Sequence, residues 1–354
     1  MHRAVSPLVD AFPTLRREKL GLVDVGTRGG IHPIFNGIAP LLHVVGFEPD
    51  TDECRWLTAA GAQWGYAAHT CVPCGLGRVD GEQALDVCRS EGTSSCYRPN
   101  RVWLERFPDA VRYEVVGTKT IPVRSLDSLR SDPAHQLPTS IDFLKVDTQG
   151  SELDVLMGAQ RTLSQAVGVE VEVEFAQLYE SQPLFRDVDA YLASCGFSLF
   201  KLRRYGWVRK NQQAQPRHSA GQLIFGDALY LRDPLHPQHP DSSLTPHQAE
   251  ALVVIATLYD LRDFALEVVL DRQMSHHFDR ERVVKYIHWN YRSLGRSWPL
   301  VALKPFLESA RVQVWLETLH AWNRRQSWGR ADSSLDFYTL NMASRRWIRE
   351  TSCR

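Results

Sequence analysis

Short apolar runs alternate with amphipathic stretches through the first two thirds of the chain. Leu20, Leu22, Val23 and Val25 form one run, and Val44, Val45 and Phe47 a second. Ile141, Phe143, Leu144 and Val146 form a third. Runs this short and this apolar predict strands buried on both faces. Helical spacing follows them, as in Leu153, Leu156 and Met157, within a helix predicted over 152–165. Asp50 or Thr51 caps another helix after the second run, and Ser151 is placed to cap the helix after the third. Strands alternating with helices define an α/β fold.

Between 167 and 174 the period changes to two. Val167, Val169, Val171 and Val173 alternate with Glu170, Glu172 and Glu174, which gives a strand with one acidic face. Carboxylates spaced two apart repel unless they are solvated, paired or bound to a cation. Glu170 and Glu172 are expected on a partly solvated face, and Glu174, nearest the carboxyl end, in the site. Residues 66–90 hold another strand and an Asp80-Gly81 hairpin turn. A helix, a glycine turn at Gly196 and a strand follow, then a polar loop over 205–220 and a last strand in GQLIFGDALYLRDP.

Residues 1–19 read as a helical lead-in, 20–233 as the α/β domain and 234–246 as a linker with four prolines. Residues 247–354 read as a helical C-terminal region. Ala251, Val254, Leu258, Leu261, Ala265 and Val268 recur at steps of three and four, with Asp260, Asp263 and Glu267 facing away. Val284, Ile287, Tyr291 and Leu294 mark another helix, with Gly295 as its C-cap. Arg324, Arg325, Arg345, Arg346 and Arg349 among Trp322, Trp328 and Trp347 read as a helix surface over its own core. This region is a possible contact for a partner or a second copy.

The 354 residues carry 41 basic and 41 acidic side chains, so net charge is zero, which argues against a dedicated nucleic-acid binder. No apolar stretch is long enough for a signal peptide or a membrane span, so a cytoplasmic protein with reduced thiols is expected. Cys71 and Cys74 form a CxxC, but Cys88 and Cys96 lack matching spacing, and no metal is assigned.

The candidate chemistry lies where the strands end. Asp147 closes the third run just before a helix, at the edge where open α/β sheets bind ligands. The first run leads through Asp24, Gly26 and Thr27 to Gly29 and Gly30, a loop whose glycines let backbone approach a ligand. Arg28 stands at the second glycine position of a dinucleotide fingerprint. Glu48 ends the second run, suited to accept hydrogen bonds from ribose hydroxyls. His32 is an alternative base. Ser94 and Ser95 are candidate donors to a substrate.

The stretch IDFLKVDTQGSELDVLMGA resembles the signature of the FkbM-type S-adenosylmethionine-dependent methyltransferases, with Gln149 where that family usually has Glu. DVGTRGG resembles the family's first motif, with Arg28 where Asn is common, and EGTSSCYRPN resembles its serine motif. The resemblance spans about residues 20–233. It implies a Rossmann-like class I sheet, mostly parallel with an antiparallel last strand, and S-adenosyl-L-methionine as cofactor. Asp24, Gly26, Thr27, Gly30, Glu48 and Leu76 would bind that cofactor, with Leu76 in the adenine pocket. Asp147, Glu174 and His32 would be catalytic, and Ser94 and Ser95 would touch the substrate. The implied reaction is methylation of a hydroxyl on a sugar, glycan or secondary metabolite. An NAD-type or nucleotide-sugar enzyme, or a non-enzymatic binding module built on the helical region, are the alternatives. Arg28 and the lack of a Tyr-x-x-x-Lys pair argue against the first, and the intact glycine loop, Glu48 and Asp147 against the second.

Overall fold

The computed structural model describes residues 8, 10–132, 137–210, 221–237, 243–294 and 329–331. One large sheet organises them. Its strands are β1 (Leu20–Val25), β2 (Leu42–Phe47), β3 (Ala68–Val72), β7 (Phe143–Val146), β8 (Gly168–Glu174), β9 (Ser198–Trp207), β10 (Gln222–Leu231) and β11 (Gly329–Ala331). They lie in the order β11-β9-β10-β8-β7-β1-β2-β3. The strands from β3 to β8 pair in parallel, while β10 runs against both β8 and β9. The strand order reverses at β1, with β2 on one side and β7 on the other, and a crevice opens at such a reversal. This is the mostly parallel sheet with an antiparallel late strand that the sequence implied.

A second sheet holds β4 (Gly75–Leu76), β5 (Gly81–Cys88) and β6 (Val115–Arg124) in the order β4-β6-β5. The Asp80-Gly81 turn therefore joins two strands on opposite sides of β6 and is not a hairpin. Asp80 instead accepts from the Ser125 N–H (2.8 Å) and the Ser128 hydroxyl (2.7 Å).

Helices cover both faces of the large sheet. They include α1 (Pro13–Arg17), α2 (Thr51–Gly61), α3 (Glu152–Met157), α4 (Phe185–Ser194), α5 (Pro246–Leu258), α6 (Arg262–Leu270) and α7 (Arg280–Leu294). Val23, Val45, Leu144 and Val146 share one core with Val155 and Leu156 of α3 and Val188 and Leu192 of α4. Leu22, Val44 and Phe143 share the other with α5, α6 and α7. Every residue from Ala249 to Leu258 is buried, so α5 is apolar all round. The expected helix through 251–268 is two helices. The break falls at Tyr259–Leu261, where Asp260 adopts φ +62°. The helix expected over 152–165 also divides, because Gly158 meets the second sheet there. A Cβ on Gly158 would lie 2.0 Å from the Gly77 carbonyl oxygen. The Gly295 cap and the arginine–tryptophan tail fall outside the described residues. Among the described residues, no helix is long and apolar enough to cross a membrane.

Polar contacts tie α5 to the start of the sheet. Glu250 accepts from the Thr14 and Leu15 N–H groups, each at 2.9 Å. His247 Nε2 lies 2.9 Å from Asp142 Oδ2, which also accepts from the Gly21 N–H. Burial alone would lower the His247 pKa, but the Asp142 hydrogen bond and charge outweigh it and raise it above 6.5. A histidine with a raised folded pKa stabilises fully below its unfolded pKa, and loses that share as pH rises through the folded value. His247→Gln should therefore cost about 1–3 kcal/mol near pH 5.5. The gap in melting temperature from the wild type should narrow as pH rises towards 9. A gap that widens with pH contradicts this account.

Candidate active site

The ladder continues one residue beyond each central strand. Gly26 and Thr27 N–H groups donate to the Phe47 carbonyl (3.0 and 3.3 Å), Glu48 N–H to Val72 (3.2 Å) and Asp147 N–H to Val25 (3.0 Å). Gly26, Glu48 and Asp147 thus sit on neighbouring strand ends along one rim. Gly26 has φ +78°, and a Cβ there would lie 1.9 Å from the Asp147 carbonyl oxygen. Only glycine lets these two strand ends come so close. Gly30, at φ +100°, faces the Trp64 ring.

Below the loop lie two buried polar atoms without a close hydrogen bond. Thr27 Oγ1 is buried without a hydrogen-bond partner, and so is Asp24 Oδ1. Lys145 Nζ lies 3.6 Å from Asp24 Oδ1 and 3.6 Å from Asp147 Oδ2. Burial pushes the Asp24 carboxyl up to about 6 despite Lys145. Glu48 is buried, and its Oε1 accepts from the Asp50 N–H at 2.9 Å. Burial also raises the Glu48 pKa, against the Asp50 hydrogen bond and Arg28. Arg28 lies 3.8 Å from Glu48, 3.3 Å from Asp50 and 2.5 Å from Glu91, so one guanidinium gathers three carboxylates beside the loop.

The signature turn after β7 is held by its own side chains. Gln149 takes φ +59° and Gly150 φ +113°. Ser151 occupies the N-cap position of α3 but makes no cap hydrogen bond. Glu152 does that work, accepting from the Thr148 N–H (2.8 Å) and the Gly150 N–H (3.0 Å). Gln149 Nε2 donates to Asp147 Oδ1 (3.1 Å) and Glu172 Oε2 (2.5 Å). A glutamate at 149 would put a further carboxylate where this donor now lies. The Tyr179 hydroxyl is 3.1 Å from Gln149 Oε1.

The remaining sequence candidates take varied places. Ser95 is fully buried, donates to the Gln149 carbonyl (2.6 Å) and accepts from the Tyr97 N–H (2.9 Å). Ser94 Oγ accepts from the Cys88 N–H (3.1 Å). His32 caps the 3-10 helix Pro33–Leu41 through Nδ1, which accepts from the Ile34 N–H (3.2 Å). Leu76 is buried in the apolar core that includes Val72 and Val155. Glu170 is not solvated as expected. It is buried, and its Oε2 accepts from the Tyr259 hydroxyl at 2.6 Å.

Glu174 is buried and joins Glu152 and half-buried Glu172, with one carboxylate oxygen from each within 4.8 Å of the others. Burial, then mutual repulsion and Asp147, drives the Glu172 and Glu174 pKa values well above normal, and Glu152 rises to about 7. At that spacing each charged pair repels by about 3–4 kcal/mol at an effective dielectric of about 20. Among the described residues this is the one group of three or more potential ligands close enough to hold a metal, so the cysteines form no such cluster there. Lys145, Glu152 and Gln149 escaped the sequence reading as site residues. A lysine inside an apolar strand was the available signal for the first.

The Gly26 geometry has a direct consequence. Gly26→Ala should destabilise the protein by at least about 1–3 kcal/mol through backbone strain alone. Thermal unfolding without added cofactor checks this, and an unchanged midpoint would show that the two strand ends can separate freely.

No curated protein matches the sequence. The solved structures that the chain matches include a magnesium protoporphyrin IX methyltransferase from Synechocystis PCC 6803 with bound SAM. It is 11% identical over 65% of this chain and 76% of that one, with a TM-score of 0.30. An rRNA methylase from Streptococcus thermophilus is 10% identical over 64% and 97%, with a TM-score of 0.30. A 16S rRNA (adenine(1408)-N(1))-methyltransferase from Catenulisporales acidiphilia is 16% identical over 62% and 91%, with a TM-score of 0.27. The methyltransferase FkbM domain matches residues 31–199, which span β2, the signature turn and the acidic strand β8. Over residues 31–199 the chain is therefore similar to the methyltransferase FkbM domain.

Proposed function

We propose that this chain transfers a methyl group from S-adenosyl-L-methionine to a hydroxyl oxygen of a sugar, glycan or secondary metabolite. The observation that carries the reading is the alignment of Gly26, Glu48 and Asp147 on adjacent strand ends of one rim. The rim suits the cofactor on its own terms. Glycine at 26, 29 and 30 leaves the loop without side chains where backbone must approach a ligand closely, and Thr27 holds a buried hydroxyl without a hydrogen-bond partner. Glu48 would accept hydrogen bonds from ribose hydroxyls. The cofactor supplies an electrophilic methyl on a sulfonium centre, so the protein's task is chiefly alignment of the acceptor.

Asp147 is the side chain we assign to the acceptor proton. Its side chain is 39% exposed, so an acceptor can reach it, while Lys145 and Gln149 fix it from two sides. Proton removal by a positioned carboxylate strengthens the attacking oxygen as the bond forms. Glu174 stands near Asp147 as a supporting group, and His32 serves to start the helix at Pro33. Ser95 contributes by holding the Gln149 backbone, and Ser94 by holding β5. The acidic rim and neutral chain disfavour a polyphosphate acceptor, whose binding relies on basic side chains.

Two variants test the assignment. Glu48→Ala should weaken cofactor binding by about 10-fold or more, the worth of a charge-assisted hydrogen bond. Calorimetric titration reads this, and unchanged affinity removes Glu48 from the ribose. Asp147→Asn should lower turnover by about 100-fold, within the usual range for general-base loss, with little change in cofactor affinity. Methyl transfer to a panel of hydroxylated acceptors, followed by mass spectrometry, reads turnover. Full turnover would clear Asp147 of the proton-transfer role.

A further inference from the structure

We infer that Arg28 is a second residue that reads the cofactor's ribose: with Glu48 it holds one hydroxyl between a donor and an acceptor. The role rests on the methyl-transfer reading, which puts a ribose over Glu48. Arg28 lies in the loop after β1 and Glu48 just past the end of β2, so the two meet across neighbouring strand ends of the rim. Arg28 Nε stands 3.8 Å from Glu48 Oε2. That is within reach of an ion pair and too long for a direct hydrogen bond.

The remaining polar atoms of the pair are committed elsewhere. Arg28 Nη1 donates to Glu91 Oε2 (2.5 Å) and Nη2 to Asp50 Oδ2 (3.3 Å). The guanidinium is thus clamped from the serine-motif loop and from the N-cap of α2, which leaves its Nε–H on the Glu48 side. Glu48 Oε1 accepts from the Asp50 N–H (2.9 Å), which leaves Oε2. The clamps are themselves held. Asp50 Oδ1 accepts from the Asp52 and Glu53 N–H groups (3.0 and 3.2 Å), and Lys119 Nζ lies 4.0 Å from Asp50 Oδ2. Glu53 Oε1 accepts from the Gly29 N–H (2.9 Å), so the loop that carries Arg28 is tied to the same helix. A donor and an acceptor fixed in this way lose little freedom when a ligand arrives.

A hydroxyl suits this gap. It donates one hydrogen bond and accepts others, whereas ionised Glu48 can only accept and Arg28 can only donate. An oxygen about 2.8–3.0 Å from each atom satisfies both across the gap without moving either. A pair built only to cancel charge would close to direct contact, as Arg28 does with Glu91. Charge on both partners strengthens their hold on the hydroxyl. A nucleoside that lacks this hydroxyl leaves buried Glu48 and its facing donor unpaired, so Arg28 sets specificity as well as affinity.

The test titrates the full-length chain calorimetrically with S-adenosylhomocysteine and with its 2′-deoxy and 3′-deoxy analogues. The wild type should bind the parent at least about 10-fold more tightly than one of the two analogues, the worth of a charge-assisted hydrogen bond. Arg28→Met keeps the length and loses the donors. It should weaken parent binding and narrow that preference by at least about 5-fold. Arg28→Lys keeps the charge without the planar fork and should narrow the preference likewise. The Arg28 side chain is 31% exposed and its ion pairs lie at the rim, so both variants should fold, which melting temperatures check. A residue that only fixes the loop would weaken parent and analogues equally and leave the preference intact. A wild type that binds all three ligands alike, or a preference kept in full by either variant, overturns the role of Arg28 alone. A wild type that does not bind S-adenosylhomocysteine sinks the methyl-transfer reading itself.

Discussion

One ammonium group holds the face of the sheet on which the site is built. Lys145 lies within 3.6 Å of both Asp24 and Asp147, and Glu170 and Asp227 also act on it. Burial opposes its charge, but the surrounding carboxylates outweigh that and raise its pKa. The same face pairs Asp24 with Lys145, Lys145 with Glu170, and Glu172 with Asp227 across neighbouring strands. Without a fixed positive charge at its centre, this surface would be a row of like charges in a low dielectric. Lys145 therefore does two things. It makes an acidic sheet face tolerable, and it fixes the orientation of the carboxylate at the end of β7.

The fold was legible where sequence periodicity and burial coincide. The β1, β2 and β7 runs read as strands buried on both faces because no side chain in them but Asp24, His43 and Lys145 is polar or charged. The mostly parallel sheet with an antiparallel late strand followed from the resemblance, whereas the reversal of strand order at β1 is seen only in the pairing. Breaks in helices were not legible, because they arise from distant contacts. Gly158 ends α3 where the second sheet approaches, and Asp260 separates α5 from α6 by a left-handed turn. The continuous apolar run in α5 was visible, but not that it is enclosed on every side.

Within the site, the rim was legible and its wiring was not. Gly26, Glu48 and Asp147 could be placed at strand ends from motif spacing, and they lie there. The acidic face of β8 was visible as a period of two, yet its solvation was misjudged. Glu170 is buried against Tyr259 from the turn after α5, a partner some 89 residues away. Gln149 stood out only as a departure from the family pattern. Its use as a bridge between Asp147 and Glu172 needed coordinates, as did the satisfaction of Ser95 by the Gln149 carbonyl. Side chains that look available in a sequence are often engaged by backbone in the fold.

The central claim is that this rim is built for a sulfonium nucleoside. Calorimetric titration of the full-length chain with S-adenosylmethionine and, separately, with NAD tests it most directly. The account predicts saturable binding of S-adenosylmethionine with a stoichiometry of about one, as expected for a single strand-order reversal, and no heat of binding for NAD. Tight binding of NAD, or no binding of either nucleotide, would contradict it.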